Sequence, residues 1–279
     1  MLASTSMAID RDAPIGVFDS GLGGLTVARA IAERLPDERL VYLGDTARVP
    51  YGTRSASTVL RYARTCARHL AKHDIKLLVV ACNTVSAVAL PMLRVELDVP
   101  VLGVIEPGAR AGVRASRSGK VGVIATAGTV ASGAYPRAIS SVSTRAEVCQ
   151  RPAPLLVPLV EEGWLDGEVP ALVARRYLEP LIAEGNDALV LGCTHYPLLA
   201  PILRDEAARI AGRPIAVVDS AEATATELAE LLAERELARE GGPGALSLMV
   251  TDLPGRFAEV AARFLGRDVD GLEVDAIDL

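Results

Sequence analysis

Short apolar runs recur along the chain: IGVF from Ile15, LVYLG from Leu40, LLVVA from Leu77, VLGV from Val101, VGVIA from Val121, ALVLG from Ala188 and IAVVD from Ile215. Each precedes a segment whose apolar positions return about every 3.6 residues, the period of a helix with one buried face. Runs of four or five Val, Ile and Leu without polar alternation suit strands covered on both faces. Strands of that kind alternating with helices predict an α/β fold built on mainly parallel sheets. After Gly241-Gly242-Pro243-Gly244 the pattern weakens to a small strand, a helix from about Pro254 to Leu265 and a last short apolar run.

The pattern also repeats. Gly16-Val17-Phe18-Asp19-Ser20-Gly21 resembles Gly122-Val123-Ile124-Ala125-Thr126-Ala127, and Leu78-Val79-Val80-Ala81-Cys82-Asn83-Thr84 resembles Leu189-Val190-Leu191-Gly192-Cys193-Thr194. The two offsets are nearly equal, which predicts two similar α/β units, pseudo-symmetric about a central cleft. The expected division is 10–106 plus 218–279 for a first, discontinuous domain and 107–217 for a second. Ligands of such sheets bind at the carboxyl ends of the strands, where both pairs of motifs fall.

A chain of 279 residues is long enough for two cores, and 50% hydrophobic with 23% charged residues argues against disorder. A net charge of −6, with basic residues scattered along helix faces, argues against nucleic acid as a partner. Residues 1–14 have no apolar core of signal-peptide length, and every apolar stretch is broken well before a membrane span, so a cytoplasmic location is expected. The four cysteines, Cys66, Cys82, Cys149 and Cys193, lack paired spacing and read as free thiols. Cys66 shares an apolar helical stripe with Val59, Tyr62, Ala63 and Leu70 and reads as core. Cys149 reads as strand filler, and His69 and His73 as helix surface.

Cys82-Asn83-Thr84 follows a buried strand at a helix start, where partial positive charge favours a thiolate, and Cys193-Thr194-His195 has the same placement. Either thiol alone could be a small buried hydrophobe; two at matching positions of a repeat point to chemistry. Asp19-Ser20-Gly21-Leu22-Gly23-Gly24 could hold an anion at a helix start. A dinucleotide site, and with it a dehydrogenase, is the rival reading, with Asp45 placed to meet a ribose. Against it, the glycines run G-x-G-G, and Asp19 would set a carboxylate beside the pyrophosphate. Cys82, Cys193 and His195 could also serve a zinc hydrolase, though without usual ligand spacing. Asp45 through Gly52 forms a loop at the same sheet edge, and Glu161 by itself reads as a solvated helix end.

Two proton-transfer groups from quasi-symmetric halves can remove a proton from one face of a carbon and return one to the other, which inverts a stereocentre. One thiol must then start as thiolate and the other as thiol, giving a bell-shaped pH profile. Asp19 and His195 stand beside one thiol each. A pyridoxal cofactor needs a lysine; Lys72, Lys76 and Lys120 all lie before strands, away from the motifs, so no cofactor and no metal is expected.

These motifs, together with Pro158-Leu159-Val160-Glu161 and Tyr196-Pro197, resemble the glutamate racemases of the aspartate/glutamate racemase superfamily, over residues 15 to about 225. The resemblance implies interconversion of L- and D-glutamate and supply of D-glutamate for peptidoglycan. Carried over, Cys82 takes the proton from D-glutamate and Cys193 from L-glutamate, with Asp19 assisting Cys82, and His195 and Glu161 assisting Cys193. Asp19, Ser20, Tyr51, Gly52, Asn83, Thr84, Thr194 and His195 hold the amino acid. Aspartate racemases share the two-thiol logic and remain the alternative. The resemblance also implies a homodimer and, in some members, gyrase binding. Val85 stands where relatives carry Ala, a change expected to affect packing only.

Overall fold

The computed structural model describes residues 9–253, 255–269 and 274–279. The chain opens with β1 (Ile15–Asp19), α1 (Leu25–Arg34), β2 (Arg39–Gly44), α2 (Ala56–Ala71), β3 (Leu77–Val80) and α3 (Asn83–Glu96). It continues through β4 (Val101–Gly103), α4 (Ile105–Ala115), β5 (Lys120–Ala125), α5 (Ala127–Ser132), α6 (Ala134–Val142) and β6 (Glu147–Pro152). Then come α7 (Leu156–Glu161), α8 (Glu168–Ala183), β7 (Ala188–Gly192), α9 (Ala200–Ala211), β8 (Ala216–Asp219) and α10 (Ser220–Glu234). The last elements are β9 (Ala245–Val250), α11 (Phe257–Leu265) and β10 (Val274–Ala276). The start expected for the last helix, Pro254, lies outside the described residues.

The strands form two sheets, in the orders β10-β9-β2-β1-β3-β4 and β6-β5-β7-β8. Every pairing among them is parallel. Removing β9 and β10 leaves β2-β1-β3-β4, the same order as β6-β5-β7-β8 four strands later, so the internal repeat is a repeat of topology. Cys82 follows β3 and Cys193 follows β7, which occupy equivalent places beside the first strand of each unit.

Both faces of each sheet are buried, and side-chain alternation divides them. In the first sheet Ile15, Val17, Leu77 and Val79 join α1 and α10 in one core, while Phe18, Leu43, Leu78 and Val80 join α2 and α3 in another. Cys66 lies in the second of these, as its stripe predicts, and Val85 is fully buried there too. In the second sheet Leu189 and Leu191 face α8 and α9, whereas Val121, Val123 and Val190 face α4 and α6. Helix α10 packs on α1 of the first unit and α4 of the second.

For the domain division we keep the expected arrangement as a proposal with adjusted edges. Cuts at 106/107 and 217/218 would fall inside α4 and β8; placing them before α4 and after Asp219 keeps each element whole.

At the edge of the first sheet remote from the thiols, Lys76 is wholly buried and its Nζ lies 2.6 Å from Glu38 Oε2. It also donates to the carbonyls of Arg11 at 2.7 Å and Leu237 at 2.8 Å. Glu38 in turn accepts the backbone N–H of Arg239 at 2.9 Å. The pair thus ties the entry to β1, the loop before β2 and the segment after α10. Removing one member of a buried ion pair strands the other's charge, so Lys76→Met should lose about 3–5 kcal/mol of unfolding free energy in urea titration. A loss under about 1 kcal/mol would mean that water reaches Glu38.

Candidate active site

The carboxyl ends of β1, β2 and β3 face those of β5 and β7 across a cleft of about 600 Å³. Ser20, Tyr51, Gly52, Cys82, Asn83, Thr84, Glu161, Cys193, Thr194 and His195 all line it. Polar contacts join the two rims. Thr26 Oγ1 donates to the Thr194 carbonyl at 3.0 Å, Gly128 N–H to the Gly52 carbonyl at 2.9 Å, and Tyr135 O–H to Asn83 Oδ1 at 2.8 Å. The hydroxyls of Thr84 and Thr126 are 2.9 Å apart.

Asp19 is not on the cleft wall. It lies beneath it, 1% exposed, and its Oδ2 accepts the Gly21 N–H at 3.0 Å. The sequence suggests a loop that holds an external anion; the anion its amides surround is the Asp19 carboxyl itself. Burial raises that carboxyl above its ordinary range, opposed by the positive charge of His195 and by the N–H groups of Gly24, Gly21 and Ser20. Its other oxygen, Oδ1, is buried without a hydrogen bond among the described residues, as is the Asn83 amide nitrogen.

The paired glycines have a steric reason other than pyrophosphate. A Cβ on Gly23 would overlap Thr194 Oγ1 and the His195 ring, and one on Gly24 would overlap Asp19 Cβ. Their absence of side chains lets the two catalytic-looking loops touch. Asp45 is equally unsuited to a ribose. Fully buried, it accepts from Arg48 Nε at 2.8 Å, from Thr251 Oγ1 at 2.9 Å and from the Tyr51 hydroxyl. It fixes the loop that carries Tyr51 and Gly52 to the cleft.

The two thiols have different surroundings. Cys82 is the N-cap residue of α3, and its Sγ points at Ser20 Oγ, 3.3 Å away. Burial pushes this thiol up to about 12, and the nearby Asp19 charge adds to the effect against the opposing Ser20 hydroxyl and Val85 N–H. Cys193 departs from the expected placement at a helix start. Pro197, in the first positions of the following Tyr196–Leu199 3-10 turn, and a Tyr196 hydroxyl bonded to the Ala153 carbonyl at 2.8 Å shape a different exit from the strand. Helix α9 begins only at Ala200. The partner of Cys193 is instead His195, whose Nδ1 lies 3.9 Å from Sγ.

His195 Nε2 is 3.1 Å from Glu161 Oε1, so the expected solvated helix end is engaged with the ring. Burial alone would lower the imidazole, but hydrogen bonding to Cys193 and then to Glu161 outweighs it and lifts the ring to about 10. The ring is therefore a cation at neutral pH.

Several wall residues escaped the sequence reading. Thr126 and Ala127 occupy the place of Ser20 and Gly21 in the second unit, so the repeat itself signalled them. Val260 and Phe264 of α11, and Arg256 just before it, carry no motif, only an amphipathic helical pattern. Among the described residues no His, Cys, Asp or Glu side chains form a group of three suited to a metal ion, and no helix is long and apolar enough to cross a membrane.

Comparison with known proteins adds sequence and fold. Residues 15–228 match the profile of the Asp/Glu/Hydantoin racemase family. A glutamate racemase of Geobacter metallireducens is 53% identical over 253 residues, covering 90% of this chain and 92% of that protein. The crystal structure of a Bacillus anthracis glutamate racemase superposes with a TM-score of 0.90 at 38% identity, covering 96% of this chain and 98% of that one. A Francisella tularensis glutamate racemase in complex with D-glutamate gives 0.87 at 35% identity, with the same coverage of both chains.

The raised imidazole predicts a stability profile. Below pH 6.5 the ring is protonated in both folded and unfolded chains, and its ionic contacts contribute fully. As pH rises towards about 10 the unfolded ring is already neutral while the folded one still holds its proton, so stability falls. Urea titrations between pH 6 and 9 should show this fall, and His195→Gln should flatten it. An unchanged slope in the variant would place the ring's proton affinity near its ordinary value.

Proposed function

The chain belongs to the Asp/Glu/hydantoin racemase family, and on that premise we propose that it interconverts L- and D-glutamate by passing protons between two thiols, without a cofactor. One observation carries the reading: Cys82 and Cys193 sit at equivalent strand ends of two repeated units and line one cleft from opposite rims.

In the L-to-D direction the Cys193 thiolate removes the Cα proton, forming S–H and leaving the electron pair on Cα, delocalised into the α-carboxylate. The Cys82 S–H bond then breaks as a new Cα–H bond forms on the opposite face. The enzyme ends with Cys82 as thiolate and Cys193 as thiol, and the D-to-L direction runs the same steps backwards. His195, a cation fixed by Glu161, presents an N–H and a positive charge to the Cys193 sulfur when it is charged. On the other side Asp19, made more basic by burial, assists proton loss from the Cys82 thiol when that residue must act as base. The unpartnered Asn83 amide, with the hydroxyls of Ser20, Thr84 and Thr194, supplies donors for the substrate carboxylates and for charge developing on the α-carboxylate. Tyr51 and Gly52 complete the wall.

Glutamate is favoured over aspartate because the relatives at about half identity are glutamate racemases, one of them 53% identical. The same reading puts the enzyme in the cytoplasm as a homodimer supplying D-glutamate for peptidoglycan, with gyrase a further partner to be tested by pulldown and supercoiling assays.

Incubation of chelator-treated protein with L-glutamate in D₂O should give loss of optical rotation and deuterium at Cα, with L-aspartate unchanged. Cys82→Ala and Cys193→Ala should each reduce racemisation by roughly a thousandfold or more while circular dichroism stays native. Exchange with aspartate alone would transfer the assignment to that substrate, and turnover surviving either substitution would sink the two-thiol mechanism.

A further inference from the structure

Helix α11 reaches the site from the opposite unit. The Phe264 ring stands edge-on to His195, with centroids 5.1 Å apart. One residue earlier, Arg263 turns its guanidinium to the end of α7, where Nη1 donates to the carbonyls of Val160 at 3.1 Å and Glu161 at 2.7 Å. Its other nitrogen, Nη2, is 3.1 Å from Glu259 Oε1, one turn back on α11. The chain leaves α7 through Gly163 at φ +77, and a Cβ there would lie 2.8 Å from Arg263 Nη2. The turn is shaped around the guanidinium.

Backbone amides already cap part of this six-residue helix, Gly163 N–H to the Val160 carbonyl at 3.0 Å and Trp164 N–H to that of Leu159 at 2.8 Å, and Arg263 adds a second bond to Val160 and one to Glu161. A planar, permanently charged guanidinium can serve the two carbonyls through Nη1 and Glu259 through Nη2 at once, which a single ammonium nitrogen does less well, and its charge complements the negative end of the helix. Glu161 is the residue so held. Its side chain is 52% exposed, and its link to the interior is the hydrogen bond to His195.

We propose that Arg263 is a positioning residue: by capping α7 it fixes the backbone of Glu161 where the carboxylate meets His195 Nε2, and so sets the protonation of the group beside Cys193. The proposal rests on the racemase reading for its effect on turnover but not for its effect on the ring. The charged and titratable groups around His195 are Cys193 and Asp19 at the strand ends, Glu161 on α7, and the ion-pair chain of Glu162, Arg256, Glu259 and Arg263. Among the described residues, only Glu161 and Cys193 hydrogen-bond to the ring with a titrating atom.

The test compares Arg263→Gln, Arg263→Lys, Glu161→Gln and the Arg263→Gln/Glu161→Gln double variant. Ring-labelled histidine is titrated by NMR in each, alongside the pH profile of kcat for glutamate. Arg263→Gln should lower the His195 midpoint by about one pH unit, with the alkaline limb of kcat following it. At neutral pH, where the ring keeps its proton in each variant, kcat should fall roughly tenfold through misplacement of the Glu161–His195 pair alone, with Arg263→Lys intermediate. In the Glu161→Gln background the same change should add less than about twofold, because the route through Glu161 is already cut. An unmoved His195 midpoint in both Arg263 variants, or full additivity in the double variant, overturns the proposal. Absence of turnover in the parent protein would defeat the racemase reading while the NMR titration still decides the role of Arg263.

Discussion

The two thiols can face each other because two sets of parallel strands, each buried on both faces, end at one shared seam. Parallel strands need crossover helices on both sides, which leaves the carboxyl edge as the place where loops and polar side chains gather. Here two such edges are opposed, and the contact between them is backbone-close. Gly23 and Gly24 lie where any Cβ would collide with His195 or Asp19, and Gly52 accepts from the amide of Gly128. Polar side chains also bond across that seam: Thr26 to Thr194, Tyr135 to Asn83, Thr84 to Thr126. The cleft is thus a product of both units.

Burial in this seam has opposite consequences for the two sides. On the Cys82 side, desolvation and the Asp19 charge both push the thiol up, and desolvation raises the Asp19 carboxyl as well. On the Cys193 side, desolvation of His195 is overcome by two hydrogen-bonded partners, and a cation is retained next to the sulfur. A resting site with Cys82 protonated and an imidazolium beside Cys193 suits proton abstraction by Cys193, which under the proposed assignment is abstraction from the L-enantiomer. Mirror-image substrates have equal free energy, so kcat/KM must be equal in the two directions whatever this asymmetry. Its trace belongs in kcat and KM separately.

The segment after Asp219 supports this arrangement. Helix α10 bridges α1 and α4, β9 pairs with β2, and α11 delivers Phe264 and Arg263 to the His195–Glu161 pair. Through Arg256 and Glu162, the same helix also makes an ion pair across the mouth of the cleft at 3.3 Å. Support for the Cys193 side therefore comes from both units, although Cys193, His195 and Glu161 all lie on the second.

Much of this was legible in the chain. Continuous Val, Ile and Leu runs marked the strands because a two-face-buried strand has no polar positions, and the nearly equal offsets of two motif pairs revealed the repeat, and with it the equivalence of Cys82 and Cys193. The resemblance of those motifs to a known family supplied the roles. Spacing could not say that Asp19 lies under the wall instead of on it, that Asp45 is consumed by Arg48, Tyr51 and Thr251, or that Cys193 is followed by a 3-10 turn where a helix start was expected. Nor could it draw Glu161 out of solvent, since by local pattern that residue is a helix end like any other. Two of these contacts, Glu161 with His195 and Asp45 with Thr251, join residues 34 and 206 positions apart. Local periodicity records which face of an element is buried; which groups meet across the seam is settled only when the two units close on each other.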